Sequence, residues 1–267
     1  MTALDEYLAR IGLDGPVRPD AASLVALHRA HAAAIPFENL DLWINRPISL
    51  EPADLVEKMV RHRRGGFCFE QNTLFALMLA AAGFRPRRLL ACVTFGLPSI
   101  RPRTHMVVLV EAEGRPWIAD VGFGGHGLVE PVPFEPGREH AVGDETWRVS
   151  ASFDGGWEME VLRPGAPDWT SLYWFDLAVF REPDFAMSCF YVSHEPASPF
   201  LTRRVLGRPA GDERAVMRDG LLTLTRGTEV EERIIATEAE YRSVALDRFG
   251  IEIPEGAVLR SVEGIAG

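Results

Sequence analysis

The sequence contains little cysteine and almost no lysine. Its three cysteines, Cys68, Cys92 and Cys189, are odd in number and show no paired spacing. A disulfide framework is therefore not expected, and a reducing cytoplasm is the expected compartment. Lys58 is the only lysine, so Schiff-base chemistry would depend on a single residue within a polar helical stretch. These two scarcities disfavour disulfide-stapled secreted domains and lysine-based enzymes.

Long hydrophobic runs are also lacking. The longest, residues 74–84, is far shorter than the about 20 residues that a membrane-spanning helix needs. Residues 1–10 carry Asp5 and Glu6 where a secretory signal would have a basic and then an apolar stretch. We therefore expect neither a targeting segment nor a membrane partner.

Positive charge is in deficit, with a formal net charge of −10 at pH 7. This balance argues against a general nucleic-acid-binding surface. It is compatible with an anionic small molecule, which needs only a local basic patch or a helix N-terminus. The length of 267 residues and the 47% hydrophobic content predict a globular chain of two or three modest domains.

Helical periodicity dominates the N-terminal part of the chain. Four helices are predicted there, around residues 4–11, 20–35, 55–60 and 68–83. The second begins behind an N-cap at Asp20, and Gly65 and Gly66 are expected to end the third.

From residue 86 onward the pattern is typical of strands separated by glycine or proline. The predicted strands are 89–95, 105–110, 117–121, 147–149, 157–161, 215–217, 221–224 and 230–235. Turns are expected at residues 154–156 and at Asp219-Gly220.

The last predicted helix covers residues 237–249. It opens with a capping box formed by Thr237 and Glu240 and closes at Gly250. Taken in order, the elements predict three parts: a helical part at 1–85, a β-rich part at 86–182 and a small α/β part at 183–267.

The segment 64–70, Arg-Gly-Gly-Phe-Cys-Phe-Glu, is the most informative in the chain. Cys68 follows a double glycine at the predicted start of a helix, where the helix dipole and unpaired N–H groups favour a thiolate. The same N–H groups are suited to stabilise an oxyanion. Cys68 is therefore a candidate nucleophile, although a cysteine ahead of an apolar helix is as often a packing residue.

A predicted hairpin over residues 104–121 supplies a candidate base and its partner. If a two-residue turn centres on Glu113-Gly114, His105 and Asp120 share one face as diagonal neighbours. A turn one residue earlier would oppose them directly, whereas a three-residue loop would separate their faces. A cysteine nucleophile in acyl transfer needs an imidazole base that a carboxylate holds in one tautomer.

These residue types also have simpler interpretations. A lone histidine on a strand is more often a core or surface residue, and an aspartate before glycine usually belongs to a turn. Cys92 lies in an apolar strand and is expected to be a packing residue. His28 and His31 have a helical spacing that could hold a metal, but no third ligand is evident, so no metal site is expected.

With these residues identified, the chain resembles the arylamine N-acetyltransferase family over most of its length. The matching segments, in family order, are Ile35-Pro36-Phe37-Glu38-Asn39-Leu40, 64–72, Thr104-His105-Met106 and Asp120-Val121-Gly122-Phe123-Gly124. Cys68, His105 and Asp120 stand where the family has its catalytic residues.

The family resemblance implies an α+β fold with a cysteine-protease or transglutaminase-like catalytic core. Its three implied parts are an N-terminal helical bundle that carries the nucleophile, a central antiparallel β-barrel that carries the histidine and aspartate, and a C-terminal α/β lid. The catalytic residues are expected where the first two parts meet.

The resemblance also implies ping-pong chemistry. Acetyl-CoA, the acyl donor co-substrate, would acetylate Cys68, and an arylamine, hydrazine or N-hydroxyarylamine would then take the acetyl group. It implies a cytoplasmic enzyme of xenobiotic metabolism that needs no metal and acts as a monomer or homodimer. The implied substrate-binding and CoA-binding residues are Phe37, Phe69, Val93, Thr104, Phe123, Gly124 and Phe200, mostly apolar as an aromatic ligand requires.

The resemblance weakens at residues 188–200, where Ser188-Cys189-Phe190-Tyr191 replaces the usual Asn-Trp pair ahead of a tyrosine. This segment would face the acceptor and CoA. Its alteration is the only support for one alternative, an amide synthase that closes a macrolactam on an arylamine. A cysteine hydrolase would use the same three residues with water as acceptor, which the phenylalanine-rich pocket disfavours. A non-catalytic binding module is the remaining class.

Overall fold

The helices of the chain lie in two groups, one before and one after a long run of strands. The structure is a computed structural model that describes residues 1–96, 101–153, 155–210, 212–261 and 265. The α-helices are α1 Ala3–Ile11, α2 Ala21–Ala34, α3 Leu40–Trp43, α4 Pro52–Leu55, α5 Cys68–Ala81, α6 Glu182–His194, α7 Pro199–Thr202 and α8 Glu238–Phe249. α4 continues directly as a π-helix over Val56–Arg61.

Local chemistry sets several helix ends as the sequence predicts. The Asp20 carboxylate accepts the Ser23 N–H at 2.8 Å and caps α2. The predicted end of the third helix at Gly65 and Gly66 is wrong, because the π-helix already ends at Arg61. The two glycines lie instead in the extended segment that follows, where a Cβ at Gly65 would lie 2.0 Å from a backbone oxygen.

The last helix keeps only half of the predicted capping box. The Thr237 hydroxyl accepts the Glu240 N–H at 3.2 Å, as expected. The Glu240 carboxylate accepts the Ala236 N–H rather than that of Thr237. Gly250, with φ of 68°, closes the helix in the left-handed conformation that glycine favours.

The strands form two antiparallel sheets. They are β1 Phe37–Glu38, β2 Arg85–Val93, β3 His105–Ala112, β4 Arg115–Ile118, β5 Val132–Pro133, β6 Glu139–Val142, β7 Glu145–Ala151, β8 Trp157–Leu162, β9 Thr170–Phe175, β10 Val205–Ala210, β11 Glu213–Arg218, β12 Leu221–Arg226 and β13 Glu229–Ile234. Eight form a barrel-like sheet in the order β5-β4-β3-β2-β9-β8-β7-β6. Five form a second sheet in the order β1-β10-β11-β12-β13. This architecture confirms the α+β class.

Strand ends differ from the predicted ones where proline and aspartate occur. β2 begins at Arg85 rather than Leu89, and Pro86 takes a place in the ladder opposite Val110. β4 ends at Ile118, so Asp120 follows the strand instead of lying within it. The predicted turn at 154–156 begins at Asp154, which lies outside the described residues.

Two predicted hairpin turns are confirmed. Glu113 and Gly114 have φ of 52° and 74°, which suits a two-residue turn between antiparallel strands. Ala112 therefore lies opposite Arg115, and this register runs on along β3 and β4. The turn at 219–220 joins β11 to β12 in the same way.

Four apolar clusters hold these elements together, and the smallest surrounds Cys68. The first packs α1, α2 and α5 against β3, and the second fills the barrel-like sheet. The third lies between the five-stranded sheet and α8, and α3 packs into it. The fourth joins the start of α5 to α6. The predicted division at 85/86 and 182/183 remains a prediction.

Across the described ranges of the chain, no helix is both long enough and apolar enough to cross a membrane.

Candidate active site

The candidate nucleophile lies in a buried turn. Cys68 is the first residue of α5 and only 3% of its surface is exposed. Its Sγ lies 3.7 Å from the carbonyl oxygen of Thr104, the residue before β3. The helix start thus meets the barrel-like sheet at the place that the resemblance implies.

Two opposing influences act on the Cys68 thiol. Burial raises the pKa of the thiol well above its usual range, and Asp120 and Cys189 raise it further. The N–H groups of Met106 and Phe69 lower the pKa because they favour the thiolate. The expected effect of the helix start is present, but burial outweighs it in the resting site, so a neighbouring base has to take the proton.

His105 and Asp120 form the pair that the hairpin register predicts. The His105 Nε2 and the Asp120 Oδ2 lie 2.8 Å apart, and both side chains are buried. Because a carboxylate only accepts hydrogen bonds, Nε2 carries the proton and Nδ1 is the basic nitrogen. The two residues are diagonal neighbours across β3 and the segment after β4, as the turn at Glu113-Gly114 requires.

Asp120 is held as a carboxylate. Burial alone would raise its pKa, but the hydrogen bonds and charge of His105, the amide of Asn72 and the N–H of Gly122 outweigh burial. The pKa of Asp120 therefore lies below its ordinary value. An ionised Asp120 is the state that orients the imidazole and stabilises an imidazolium.

Asn72 connects the nucleophile helix to the aspartate. Its Nδ2 donates to Asp120 Oδ1 at 2.8 Å and to the Met106 carbonyl at 2.6 Å. Its Oδ1 accepts the Val121 N–H at 3.1 Å. Asn72 lies one helical turn after Cys68, and this spacing is the sequence signal that could have shown its role.

Gly122 is the closest point between these two segments. A Cβ at this position would lie 2.5 Å from Asn72 Nδ2 and 2.8 Å from Cys68 Cα. Its N–H also donates to Asp120 Oδ1 at 2.8 Å. Only glycine lets the aspartate segment pack directly on the first turn of α5.

Aromatic rings enclose the imidazole. The His105 ring centroid lies 5.2 Å from that of Phe123, edge to face, and 5.0 Å from that of Tyr173. Burial raises the pKa of the Tyr173 hydroxyl well above its usual range, and Asp120 contributes. The sequence analysis missed Tyr173 because β9 was not among the predicted strands.

Three predicted pocket residues lie around the thiol. Phe37, Phe69 and Phe200 lie in or against the apolar cluster that contains Cys68. The Phe37 and Phe200 rings are 5.8 Å apart, centroid to centroid. Phe69 is fully buried and packs edge to face on Phe67, a ring that the sequence analysis did not single out.

The other four predicted pocket residues are partly exposed and lie along the barrel side. Val93 ends β2, Thr104 precedes β3, and Phe123 lies against the imidazole. Gly124, with φ of 78°, lies so close to Phe37 that a Cβ would be 3.2 Å from its ring. Contact of these residues with a substrate or CoA remains a prediction.

A cleft of about 830 Å³ opens between the barrel-like sheet and the face of β11 and β12. Phe95 lines this cleft, and its ring lies 6.3 Å from that of Phe123. Phe123 in turn packs on the His105 imidazole. Two aromatic rings therefore lie between the cleft and the imidazole.

The cleft is lined by four arginines and by four carboxylates, Asp144, Glu145, Asp212 and Asp219, so its formal charge is balanced although the whole chain is acidic. Its arginines are Arg163, Arg203, Arg214 and Arg218. Glu145 pairs with Arg163 and Arg214, and Asp219 pairs with Arg203. Arg218 is exposed and has no ion-pair partner among the described residues. Burial lowers the pKa of His126, which also lines the cleft, to about 4, and three of the arginines add to the effect.

His28 and His31 do not form a metal site. His31 bonds Tyr7 Oη at 2.8 Å through Nδ1 and Gln71 Oε1 at 2.6 Å through Nε2, so both ring nitrogens are used. In the parts of the chain that the structure describes, no three His, Cys, Asp or Glu side chains are arranged to hold a metal ion.

The family model and the similar known sequences indicate the same family. The model of the N-acetyltransferase family matches residues 20–258. The arylamine N-acetyltransferase of Escherichia coli K12 is 35% identical over 261 residues, which cover 94% of this chain and 90% of that protein. The similarity therefore extends over nearly the whole chain.

Comparison with solved structures gives the same result for the fold. The arylamine N-acetyltransferase of Salmonella typhimurium matches with a TM-score of 0.90 at 31% identity, covering 98% of this chain and 95% of that one. The Mycobacterium marinum arylamine N-acetyltransferase in complex with CoA matches with a TM-score of 0.87 at 32% identity, covering 93% and 92%.

Proposed function

Because the chain belongs to the arylamine N-acetyltransferase family, we propose that it transfers an acetyl group from acetyl-CoA to an arylamine, hydrazine or N-hydroxyarylamine through Cys68. One observation carries the proposal: His105, paired with Asp120 at 2.8 Å, directly follows Thr104, whose carbonyl oxygen lies 3.7 Å from the Sγ of a cysteine at a helix start. The family resemblance then selects acyl transfer among the reactions that such a trio performs.

Acylation begins with proton transfer. His105 Nδ1 takes the Cys68 proton, and the imidazolium that forms is stabilised by Asp120. The thiolate attacks the thioester carbonyl, and N–H groups at the start of α5 stabilise the resulting oxyanion. The tetrahedral intermediate collapses, and CoA leaves with the proton from His105. The acetyl group remains on Cys68.

In deacylation the acetyl group passes from Cys68 to the amine. An amine nitrogen attacks the acetyl carbonyl while His105 takes its proton, and the Cys68 thiolate leaves. The apolar rings around the thiol favour an aromatic acceptor over water, which supports transfer rather than hydrolysis. The expected acceptor contacts are those of Phe37, Phe123 and Phe200.

The arginines of the cleft suit the donor. Acetyl-CoA carries several phosphate charges on a long flexible arm, and arginines bind phosphate groups through two parallel hydrogen bonds. The cleft supplies four arginines, of which Arg218 has no ion-pair partner among the described residues, and a volume of about 830 Å³, and its Phe95 packs on Phe123. We infer that the nucleotide part of CoA binds between Arg163 and Arg218, with its arm directed toward Phe123.

The remaining expectations extend this proposal. We propose an enzyme of the cytoplasm that acts as a monomer or homodimer on small foreign amines and needs no metal.

Steady-state kinetics tests the proposed function. Purified protein with acetyl-CoA and a panel of arylamines should release CoA only when amine is present, and double-reciprocal plots at several amine concentrations should be parallel. Cys68→Ala should abolish turnover. CoA release that amines do not affect would indicate the cysteine hydrolase, and no turnover would contradict acyl transfer from CoA. Closure of a polyketide thioester without turnover of free arylamines would indicate the amide synthase.

A further inference from the structure

Five charged side chains, four of them buried and Lys58 partly exposed, lie together behind the turn that precedes the nucleophile. They are the carboxylates Glu38, Asp41 and Glu70 and the cations Lys58 and Arg64. Arg64 binds Glu38 at 2.7 Å and Asp41 at 2.9 Å. Lys58 binds Asp41 and Glu70, each at 2.6 Å. The only lysine of the chain thus lies in this cluster, and the carboxylates outnumber the cations.

Glu70 has a weaker set of compensating contacts than the other two carboxylates. Glu38 has the guanidinium and also accepts two backbone N–H groups. Asp41 binds both cations. Glu70 has one cation, Lys58, which it shares, and one backbone N–H, although its side chain is only 2% exposed. A buried carboxylate with a single, shared cation is the member of the cluster that most readily takes up a proton.

Glu70 also makes direct contact with the nucleophile turn. Its Oε2 accepts the N–H of Phe67, the residue before Cys68, at 3.1 Å. Its Cβ lies close over Gly66, where an added Cβ would be 2.9 Å away. The Lys58 bond holds the other carboxylate oxygen, Oε1. The carboxylate therefore connects the charged cluster to the backbone that sets the direction of the Cys68 side chain.

We propose that Glu70 is a positioning residue for Cys68, and that its ionised form, held by Lys58, fixes the Phe67–Cys68 turn in the reactive geometry. Protonation of Glu70 weakens the Lys58 contact and loosens the turn. The acyl transfer itself rests on the proposed function, but the reactivity of the thiol can be measured without CoA.

The charged groups around Glu70 predict the pH at which Glu70 takes up its proton. The pKa of Glu70 is raised to about 7: burial is the largest cause, Lys58 opposes it, and Asp41 and Glu38 add to it. Arg64 faces the same cluster, and Cys189 of α6 lies near enough to be influenced by Glu70. Because the pKa is raised, Glu70 is protonated below about pH 7 and ionised above it.

Alkylation of the thiol by iodoacetamide is the direct test. The rate of labelling at Cys68, read by peptide mass mapping, is measured from pH about 5 to about 9, where raised carboxylates and histidines titrate. The variants are Glu70→Gln, which is permanently uncharged, and Lys58→Arg, which keeps the cation. Glu160→Gln is the matched control, because Glu160 also pairs with a basic side chain, that of Arg148, but lies far along the chain in β8.

We expect the labelling rate of the wild type, plotted against pH, to show two inflections, one of them near pH 7. Glu70→Gln should lose that inflection and react about tenfold more slowly above it, while Lys58→Arg and Glu160→Gln keep it. Thermal unfolding of each variant confirms that it is folded. A uniform change across the pH range would indicate a merely structural role, and faster labelling would indicate charge repulsion. Either result overturns the proposal.

The wild-type profile tests the proposal for Glu70 even if Glu70→Gln does not fold, because a single inflection away from pH 7 overturns the proposal. Failure of the proposed function gives a different pattern. In that case labelling follows Glu70 as described, but acetyl-CoA leaves no acetyl group on Cys68.

Discussion

Single residues determine the chemistry of the site, and each has a measurable role. Cys68 lies where burial and backbone N–H groups affect its thiol in opposite directions. Under the proposed mechanism the thiol stays unreactive until His105 takes its proton, and Asp120 holds His105 in the tautomer that this step requires.

Asp120→Asn tests the tautomer argument. The amide keeps the shape of the carboxylate but neither holds Nε2–H in the same way nor stabilises an imidazolium, so acylation should slow by about 10³-fold or more. Pre-steady-state release of CoA measures this step. Asp247→Asn, a surface substitution on α8, should leave the rate unchanged. A loss below tenfold would contradict the role of Asp120.

Gly122→Ala tests the close approach of the two segments. The added methyl group meets Asn72 Nδ2 and Cys68 Cα, so we expect a loss of about 1–3 kcal/mol in the free energy of unfolding. Activity should fall at the same time, because the contact between α5 and the aspartate opens. Urea unfolding and CoA release measure the two effects.

Gly143→Asn is the control for that substitution. Gly143 has a positive φ that asparagine tolerates, and no atom lies within 4 Å of its added Cβ. An unchanged fold and activity in Gly122→Ala would contradict the packing argument.

At this scale the motifs predicted Cys68, His105 and Asp120 as candidate catalytic residues, whereas their surroundings came only from the structure. The hairpin rule placed His105 beside Asp120, because strand pairing has a fixed period. Burial of Cys68 could not be read from its neighbours in sequence. Tyr173, which lies on the imidazole, was missed because it reaches the site through a strand that the pattern did not show.

Among the elements, α2 and α5 form the support of the site. His31 of α2 bonds Tyr7 of α1 and Gln71 of α5, so it connects three helices. Burial lowers the pKa of His31 to about 3, and burial lowers that of His28 to about 4. Both imidazoles are therefore neutral in the folded protein.

This burial predicts a loss of stability in acid. The folded pKa values are depressed, so the stability is present above the ordinary value of 6.5 and is lost as the pH falls toward 4 and 3. Between pH about 7.5 and about 5, each histidine should lower the free energy of unfolding by about 2 kcal/mol, because only the unfolded chain takes up the proton. Urea unfolding at both pH values measures the loss.

Replacement of one histidine separates its contribution. His28→Leu should reduce the acid-induced loss by about half, since it removes one of the two titrating groups. His62→Asn, at an exposed position, should not change it. Equal acid sensitivity of His28→Leu and the wild type would contradict the assignment.

Element types were predictable where the pattern is local, and less so at ends. The third helix ends before its glycines because its last turns are π-helical, a change that no capping residue signals. The predicted capping box of α8 is half correct, since Glu240 accepts the N–H of Ala236 instead of that of the N-cap residue. Such choices depend on side-chain geometry and not on spacing.

Across the whole molecule, long-range contacts join the parts that the sequence presents in order. Asn39 donates to the Arg203 carbonyl at 2.8 Å and accepts the Val205 N–H at 2.8 Å. β1 pairs with β10, although the sequence places them in different predicted parts. Local periodicity contains no information on such pairing, so the cleft between the sheets could not be predicted.

The cleft gathers four arginines in one place on a molecule whose net charge is −10, and Arg218 is the one without an ion-pair partner among the described residues. Arg218→Ala should weaken CoA binding about tenfold, because a charged hydrogen bond to phosphate contributes about 1.5–3 kcal/mol. Titration calorimetry with CoA measures the affinity. Arg87→Ala on β2, exposed and outside the cleft, is the matched control. Equal affinity for CoA in the wild type, Arg218→Ala and Arg87→Ala would show that the phosphates of CoA do not bind at Arg218.

The central claim is that Cys68 carries the acetyl group between two substrates. Intact-mass spectrometry of the protein after acetyl-CoA alone tests it most directly, followed by addition of an arylamine. The account predicts one acetyl group, mapped to Cys68, that the amine removes, and none in Cys68→Ala. An unmodified wild-type protein, or an acetyl group on Cys92 or Cys189, would contradict it.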